Sequence, residues 1–94
     1  MRAPLAADIL IFARTLLTCP PLDRRRVAGR ILRETEEAWA YVVGCGLAHP
    51  VFGDGSLMSR SLSLHPAAEP LADNADYLHA LDAAIQALRW HYRS

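Results

Sequence analysis

Apolar residues recur every three or four positions along most of the chain, the spacing of amphipathic α-helices. Residues 4–18 carry the first such pattern. Pro4 suits a first helical position, because the N–H that it lacks would be unpaired there, and Pro20 and Pro21 end the segment. The apolar positions are Leu5, Ile9, Phe12 and Leu16, joined by Leu10, Ala13 and Leu17. The pattern predicts a first helix over residues 4–18 with a wide apolar face.

Residues 23–43 have the clearest helical pattern, with two neighbouring apolar rows and a charged opposite face. Asp23 stands where it can cap the helix start. Gly44 and Gly46 supply the glycine that a helix exit favours. The two rows are Val27, Ile31, Ala38 and Val42, and Ala28, Leu32, Thr35, Trp39 and Val43. A second helix is therefore predicted over residues 23–43.

Residues 73–92 predict the last helix, with Asp73 and Asn74 as candidate caps. Its large apolar residues repeat in steps of three and four, like the seam of a coiled coil. They are Leu78, Leu81, Ile85, Leu88 and Tyr92. We expect this seam to pack into the core of its own chain. Small residues at Ala80, Ala83, Ala84 and Ala87 let another helix approach closely.

The segment HPVFGDGSLMSRSL, residues 49–62, predicts a tight reversal followed by a short helix. Gly53 and Gly55 permit positive φ, and Ser56 stands where an N-cap belongs, just before Leu57. The whole pattern predicts an all-α fold, a small bundle of three main helices plus one short helix. We expect residues 1–94 to form a single helical domain.

The same segment also allows functional interpretations. The Gly-Asp-Gly turn, with His49 and Asp54, suits a loop that contacts a partner. Cys45, His49, Asp54 and His65 are residue types that bind zinc, but the glycine after Cys45 breaks the helical spacing. Ser56 lacks the strand–turn–helix context of a serine nucleophile. The structural interpretation, with no metal and no catalytic residue, is preferred.

The run AHPVFGDGSLM, followed by the helix DNADYLHAL, resembles a family of short bacterial helical proteins of unknown function. The resemblance covers roughly residues 47 to 90, and its anchor is the pattern HPxxGDGSLM. It implies a helical protein and supplies no activity and no catalytic residue. It favours a family-specific role for the loop.

Arginines crowd the start of the second helix, in DRRRVAGRILRETEE. Arg24, Arg25 and Arg26 occupy the first turn, where the helix dipole disfavours cations, and Arg30 follows one turn later. The cluster is either a solvated charged face, with local pairs such as Arg30–Glu34 and Arg33–Glu37, or an anion site for phosphate or an acidic protein surface.

Trp90 lies nearly opposite the predicted seam of the last helix, on the side of His79, Ala83 and Gln86. Either this helix is buried on two faces, or the tryptophan faces a partner as an interface anchor. The second interpretation predicts a homodimer in which Trp90 is shielded.

Composition narrows the function by exclusion. Net charge is zero and lysine is absent, so the chain as a whole is not a polyanion binder. Its 52 % apolar residues predict a globular rather than a disordered chain. Cys19 and Cys45 form no CxxC pair, and charges interrupt the N-terminal apolar run. We therefore expect a cytoplasmic protein with no membrane association and no cofactor.

No catalytic arrangement is apparent, so we do not expect an enzyme. The preferred function is a protein–protein interaction or assembly module, with a protein partner or a second copy of itself. The alternative is a small helical nucleic-acid-binding accessory, for example of a phage-type DNA-packaging complex, that uses the Arg24–Arg33 cluster. A metal-dependent or thiol enzyme ranks last.

Overall fold

The computed structural model describes residues 1–93, which form four α-helices and no β-strand. Helix α1 spans Ala6–Leu16, α2 spans Arg24–Cys45, α3 spans Leu57–Leu62 and α4 spans Ala75–His91. A 3₁₀ turn over Pro21–Asp23 leads into α2. The predicted all-α fold, with three main helices and one short one, is confirmed. No helix in residues 1–93 is long and apolar enough to span a membrane.

Polar side chains cap three of the four helices. Asp8 accepts the N–H of Leu5 at the start of α1 (3.2 Å). Ser56 Oγ accepts the N–H of Ser59 at the start of α3 (3.1 Å), and Asn74 caps α4 in the same way through the N–H of Tyr77 (3.0 Å). Asp23 precedes α2 but makes no side-chain capping bond, so the predicted cap there is wrong.

The core lies where α1 packs against α3 and α4 while α2 crosses α4. Its fully buried large side chains come from three helices: Phe12, Leu16, Ile31 and Leu57. Thr15 joins α1 to α3 by donating a hydrogen bond to the carbonyl of Ser61 (3.1 Å). The predicted apolar faces of α1 and of the first half of α2 therefore supply the core.

Helix α4 enters the core through its alanines together with one residue of the predicted seam, Leu88. Ala80 and Ala84 are fully buried and Leu88 is 7 % exposed, and small side chains let the axis of α4 come close to its neighbours. Three large seam residues are turned outward: Leu78 is 48 %, Ile85 42 % and Tyr92 56 % exposed. The expectation that the seam fills the chain's own core is therefore confirmed for Leu88 and wrong for these three residues, while Leu81 is half-buried against the core.

Candidate functional site

The arginine cluster at the start of α2 divides into one structural residue and several exposed ones. Arg24 is 1 % exposed. Its Nε donates to the carbonyl of Leu16 at the end of α1 (3.0 Å). A guanidinium nitrogen meets Asp76 Oδ1 (2.8 Å) and His79 Nδ1 (2.9 Å) in the first turns of α4. Arg24 thus joins α1, α2 and α4 and is not available to a partner, which corrects its prediction as a binding residue.

Arg25, Arg26 and Arg30 remain exposed on α2. Arg26 lies 3.6 Å from Asp23, which offsets part of its charge. The local pairs expected from spacing, Arg30–Glu34 and Arg33–Glu37, do not form within residues 1–93, and Glu34 pairs with Arg60 instead (3.0 Å). Arg25 and Arg30 have no carboxylate within salt-bridge distance in the described chain. Exposed positive charge on α2 is therefore left for solvent or for a ligand.

Trp90 and part of this cluster come together in one groove between α2 and α4. The indole is 69 % exposed, and the guanidinium of Arg93 lies over it, 5.2 Å from the ring centroid. The groove has a volume of about 280 Å³. Its lining is Arg25, Gly29, Leu32, Arg33, Ala83, Gln86, Ala87, Trp90 and His91. We call this surface the Arg–Trp groove.

The Arg–Trp groove continues into a second hollow of about 390 Å³. Arg25 and Trp90 border both hollows, and Arg89 and Arg93 extend the basic lining. The sequence pattern does not single out Arg89 or Arg93, and it marks Arg33 as the end of the cluster and as a local partner of Glu37. Their four-residue spacing, from Arg89 to Arg93, is visible in the sequence, but only the meeting of the two helices shows that they face Arg25.

The side chain of His49 stabilises the loop that contains it. Its Nδ1 accepts the backbone N–H groups of Val51 and Phe52, both at 3.0 Å. Its ring stacks on Phe52 with centroids 4.7 Å apart and meets Tyr41 edge-on at 5.2 Å. With one ring nitrogen and one ring face occupied, His49 holds the turn in place, which supports the structural interpretation of the loop.

Asp54 accepts hydrogen bonds from Ser56, the residue that caps α3. Its Oδ1 accepts the N–H of Ser56 (2.9 Å) and the hydroxyl of Ser56 (2.6 Å). The hydrogen bond from the Ser56 side chain, aided by the positive charge of Arg2, holds the pKa of Asp54 below its ordinary value. The carboxylate is therefore used inside the loop, and its predicted role in partner binding gains no support from these contacts.

Gly55 is required by this turn for two reasons. Its φ is 87°, a region that residues with a side chain rarely adopt. A Cβ at this position would lie 2.8 Å from Trp39 Cα, so there is also no room for one. The positive φ predicted from the sequence is confirmed, and the packing against α2 adds a constraint that the sequence did not show.

Outside the Arg–Trp groove, two apolar surfaces are exposed. The first, which we call the seam surface, consists of the outward face of α4 and the adjoining face of α1. Leu10 of α1 is 39 % exposed there. Its exposed apolar members on the α4 side are Leu78, Ile85 and Tyr92, while Leu81 is half-buried and Leu88 borders the surface from the core.

The second apolar surface is the end of α2 and the chain that follows, residues 39–51, which we call the arm. None of these residues is buried, and residues 38–53 contain no Asp, Glu, Lys or Arg. Val43, Leu47 and Val51 are 68 %, 68 % and 65 % exposed. The apolar rows predicted for α2 thus leave the core after Ala38.

The zinc ligands considered for the loop are not assembled. Within residues 1–93, no three His, Cys, Asp or Glu side chains lie close enough to hold a metal ion. Cys45 is exposed and Cys19 half-buried, both as free thiols. The site that the fold presents is therefore a basic groove with an aromatic wall, flanked by apolar surfaces.

These features define a small all-α protein with a basic groove and two exposed apolar surfaces. Residues 2–88 match the family described as Domain of unknown function (DUF7742), and the chain belongs to that family. The match covers α1, α2 and α3 and most of α4, so it extends well beyond the HPxxGDGSLM region. No curated protein and no solved structure matches the chain.

Proposed function

We propose that this protein is a non-enzymatic assembly module that forms a homodimer through the seam surface. The observation behind the proposal is the exposure of Leu78, Ile85 and Tyr92, large apolar residues seven positions apart on one helix. A stripe with this period suits packing against a second helix. Within its own chain, α4 already uses its alanine face, so the seam surface needs another molecule to cover it.

The seam is self-complementary about a two-fold axis. In an antiparallel pair of α4 helices centred on Ile85, Leu78 of one copy meets Tyr92 of the other. Between these outer layers, Leu81 is half-buried and Leu88 is buried in the core of its own chain, so Leu78, Ile85 and Tyr92 supply the contact. These layers pair apolar with apolar, and the same patch serves both subunits, as a closed two-fold dimer requires.

The charges beside the seam favour the same arrangement. Asp82 and Arg89 are seven residues apart, so they border the seam on one side of α4. The two-fold axis through Ile85 brings Asp82 of each copy opposite Arg89 of the other. Both residues are exposed, and Asp82 makes only a local bond, accepting from Gln86 (2.8 Å) within residues 1–93. Flanking pairs of opposite charge select orientation and partner in coiled coils.

The arm supports an assembly role more generally. An uncharged, exposed segment of this length is costly in water, and contact with another protein would cover it. We assign no occupant to the arm, because unlike the seam surface it has no charges that indicate a partner. Variants of the arm therefore serve as the control for variants of the seam surface.

Two free thiols, one of them exposed at Cys45, support the cytoplasm as the proposed location. A reducing compartment keeps such thiols free.

Light scattering coupled to size exclusion tests the dimer. The wild type is expected at twice the 10.4 kDa of one chain, and the variant Leu78→Gln/Ile85→Gln at a single chain mass. Glutamine keeps helix propensity, so circular dichroism should be unchanged. The matched variant Val43→Gln/Leu47→Gln changes two equally apolar residues on the arm and should remain dimeric.

Charge reversal gives a sharper test of the two-fold arrangement. Asp82→Arg alone places like charges opposite each other and should weaken the dimer, as should Arg89→Asp alone. The double reversal, Asp82→Arg/Arg89→Asp, restores opposite charges across the axis and should recover dimerisation. A monomeric wild type at millimolar concentration contradicts the proposal, and so does a dimer that only the arm variant disrupts.

A further inference from the structure

The Arg–Trp groove concentrates positive charge although the chain is neutral overall. Arg25 and Arg33 border it from α2, and Arg89 of α4 and Arg93, just beyond the end of α4, extend it. None of the four has a carboxylate within salt-bridge distance in residues 1–93. Glu36, beside the groove, already contacts His91 (3.1 Å) and the Met1 amino group. A ligand in this groove therefore meets cations whose charge is not neutralised, and it is expected to be an anion.

The arginines are spread along the groove rather than gathered at one point. Arg25 and Arg33 are two turns apart on α2, about 12 Å along the helix axis at about 1.5 Å per residue. Arg89 lies in the last turn of α4, and Arg93 lies in the turn that follows the end of that helix. Such spacing suits a chain of anionic groups better than a single small anion.

The groove also offers a flat apolar surface. Trp90 forms one wall, and the floor is formed by Gly29, Ala83 and Ala87, where side chains are absent or small. A volume of about 280 Å³ is close to the size of pockets that hold small organic ligands. Arg93 lies over one face of the exposed indole, so a flat ring would stack on the other face. An anion without such a ring would use the arginines alone.

We propose that the Arg–Trp groove binds single-stranded nucleic acid. Arg25, Arg33 and Arg93 contact successive phosphates, and one base stacks on Trp90. A positively charged groove combined with an aromatic stacking platform is the arrangement that binds single strands without sequence preference. A duplex does not fit, because its bases are already stacked on each other and cannot reach the indole. An acidic peptide would satisfy the arginines but has no general need for the flat floor.

This site is separate from the proposed dimer. Trp90 lies on the side of α4 away from the seam, and Arg89 alone borders both surfaces. We therefore leave Arg89 unchanged in the test. The variant Leu78→Gln/Ile85→Gln should retain binding even if it is monomeric, so failure of one proposal does not decide the other.

Fluorescence anisotropy of a labelled twelve-residue oligothymidylate, titrated over a salt series, tests the proposal. The wild type should bind at low salt and weaken as salt rises. Arg25→Ala/Arg33→Ala should lower affinity at least about tenfold and make the log–log salt slope shallower by about 1.4, since each lost phosphate contact contributes about 0.7. Trp90→Ala should lower affinity roughly 5- to 150-fold and leave the salt slope unchanged, because stacking releases no counterions.

Two matched variants separate site binding from general charge. Arg2→Ala/Arg30→Ala removes the same charge from exposed arginines that do not line the groove, and it should change affinity less than about threefold. Trp90→Phe keeps an aromatic ring and should recover most of the affinity lost in Trp90→Ala. All of these residues are exposed, and thermal melts verify that the variants fold.

Three results would overturn the proposal. One is no anisotropy change at low salt. Another is an equal loss of affinity in Arg2→Ala/Arg30→Ala and Arg25→Ala/Arg33→Ala, which would mean general attraction to a polyanion. The third is competition by a twelve-residue polyglutamate as strong as by unlabelled oligothymidylate, with the same dependence on Trp90, which would assign the groove to an acidic protein segment.

Discussion

Ser56, the N-cap of the short helix α3, and Ser61 within that helix are both buried, yet their hydroxyls differ in hydrogen bonding. Ser56 donates to Asp54 and accepts from Ser59 N–H (2.6 and 3.1 Å), so its hydroxyl links the loop to the helix. Ser61 is fully buried, and its hydroxyl has no hydrogen-bond partner in the described structure. The sequence shows two similar serines five residues apart, and only their surroundings distinguish them.

Ser56→Ala and Ser61→Ala should therefore change stability differently. Loss of the cap at Ser56 should lower the free energy of unfolding by about 0.5–2 kcal/mol. Removing the unpaired hydroxyl of Ser61 should be neutral or raise stability by up to about 1 kcal/mol, because an unsatisfied buried polar group is unfavourable. Urea denaturation of both variants checks this. Equal losses for the two would mean that the hydroxyl of Ser61 has a partner.

Two carboxyl groups should govern the response to acid. Arg24 holds the pKa of Asp76 below its usual value chiefly through a hydrogen bond, and Ser56 does the same for Asp54. When the folded pKa is the lower one, the unfolded chain takes up protons first as pH falls. The stabilisation from these groups is thus complete above the unfolded pKa, about 3.9, and is lost as pH falls through the folded pKa.

The midpoint of urea denaturation, measured between pH 7 and pH 2.5, should be constant near neutrality. It should decrease once the pH is lower than about 4. Asp54→Asn and Asp76→Asn should each make that fall shallower and lower stability at pH 7. The exposed Asp73→Asn serves as the matched control, since Asp73 takes part in neither contact. A decline with the same slope in all three variants would assign the acid sensitivity to other groups.

At the scale of elements, one buried arginine decides how three helices meet. Arg24 bonds the last turn of α1 and the first turn of α4 from the first residue of α2. A cation at that position is unfavourable for the dipole of α2, but its carbonyl and carboxylate contacts offset the cost. These contacts explain why an arginine stands at position 24 in the first turn of α2. No such contact explains Arg25.

Arg24→Ala should consequently destabilise the protein by about 1.5–3 kcal/mol, the range for hydrogen bonds to charged groups. Arg25→Ala, its exposed neighbour in the same turn, should change stability by less than about 0.5 kcal/mol. Thermal and chemical denaturation of the two single variants measure the difference. A silent Arg24→Ala would show that the junction is held by packing alone.

At the scale of the whole molecule, α4 presents three faces with different roles. The alanine face is buried, the seam surface is apolar and exposed, and the Trp90 side forms the Arg–Trp groove with α2. A dimer through the seam leaves the groove open. A dimer through Trp90, which is the contact that the sequence predicts, would close the groove.

Iodide quenching of tryptophan fluorescence separates the two dimers. If the dimer forms through the seam, the wild type and Leu78→Gln/Ile85→Gln should be quenched equally, because Trp39 and Trp90 both lie outside the seam surface. Stronger quenching in the monomeric variant would place a tryptophan in the interface, and Trp39→Phe would then show which one. Emission from Trp90 should be shifted to the red, as expected for an indole that is 69 % exposed.

The sequence alone determined the elements of this protein. Helix positions follow from the period of the apolar residues and from the proline and glycine stops, which are local properties. The Ser56 cap and the positive φ of Gly55 could be predicted for the same reason, since each depends on residues a few positions apart. These local patterns do not determine which of two possible faces of a helix packs into the core.

The tertiary structure decided that choice for α4, and the candidate site depends on it. Leucine and isoleucine at a seven-residue period look like core residues, but the alanine face allows a closer approach of the helix axes. Turning the alanines inward exposes the seam and brings Trp90 beside Arg25 and Arg33. It also places Asp76 where Arg24 can reach it. Arg24 therefore stabilises the fold, whereas Arg25, which looks equivalent in the sequence, stays at the surface. Contacts between residues more than fifty positions apart cannot be predicted from spacing along the chain, because they depend on how whole helices pack.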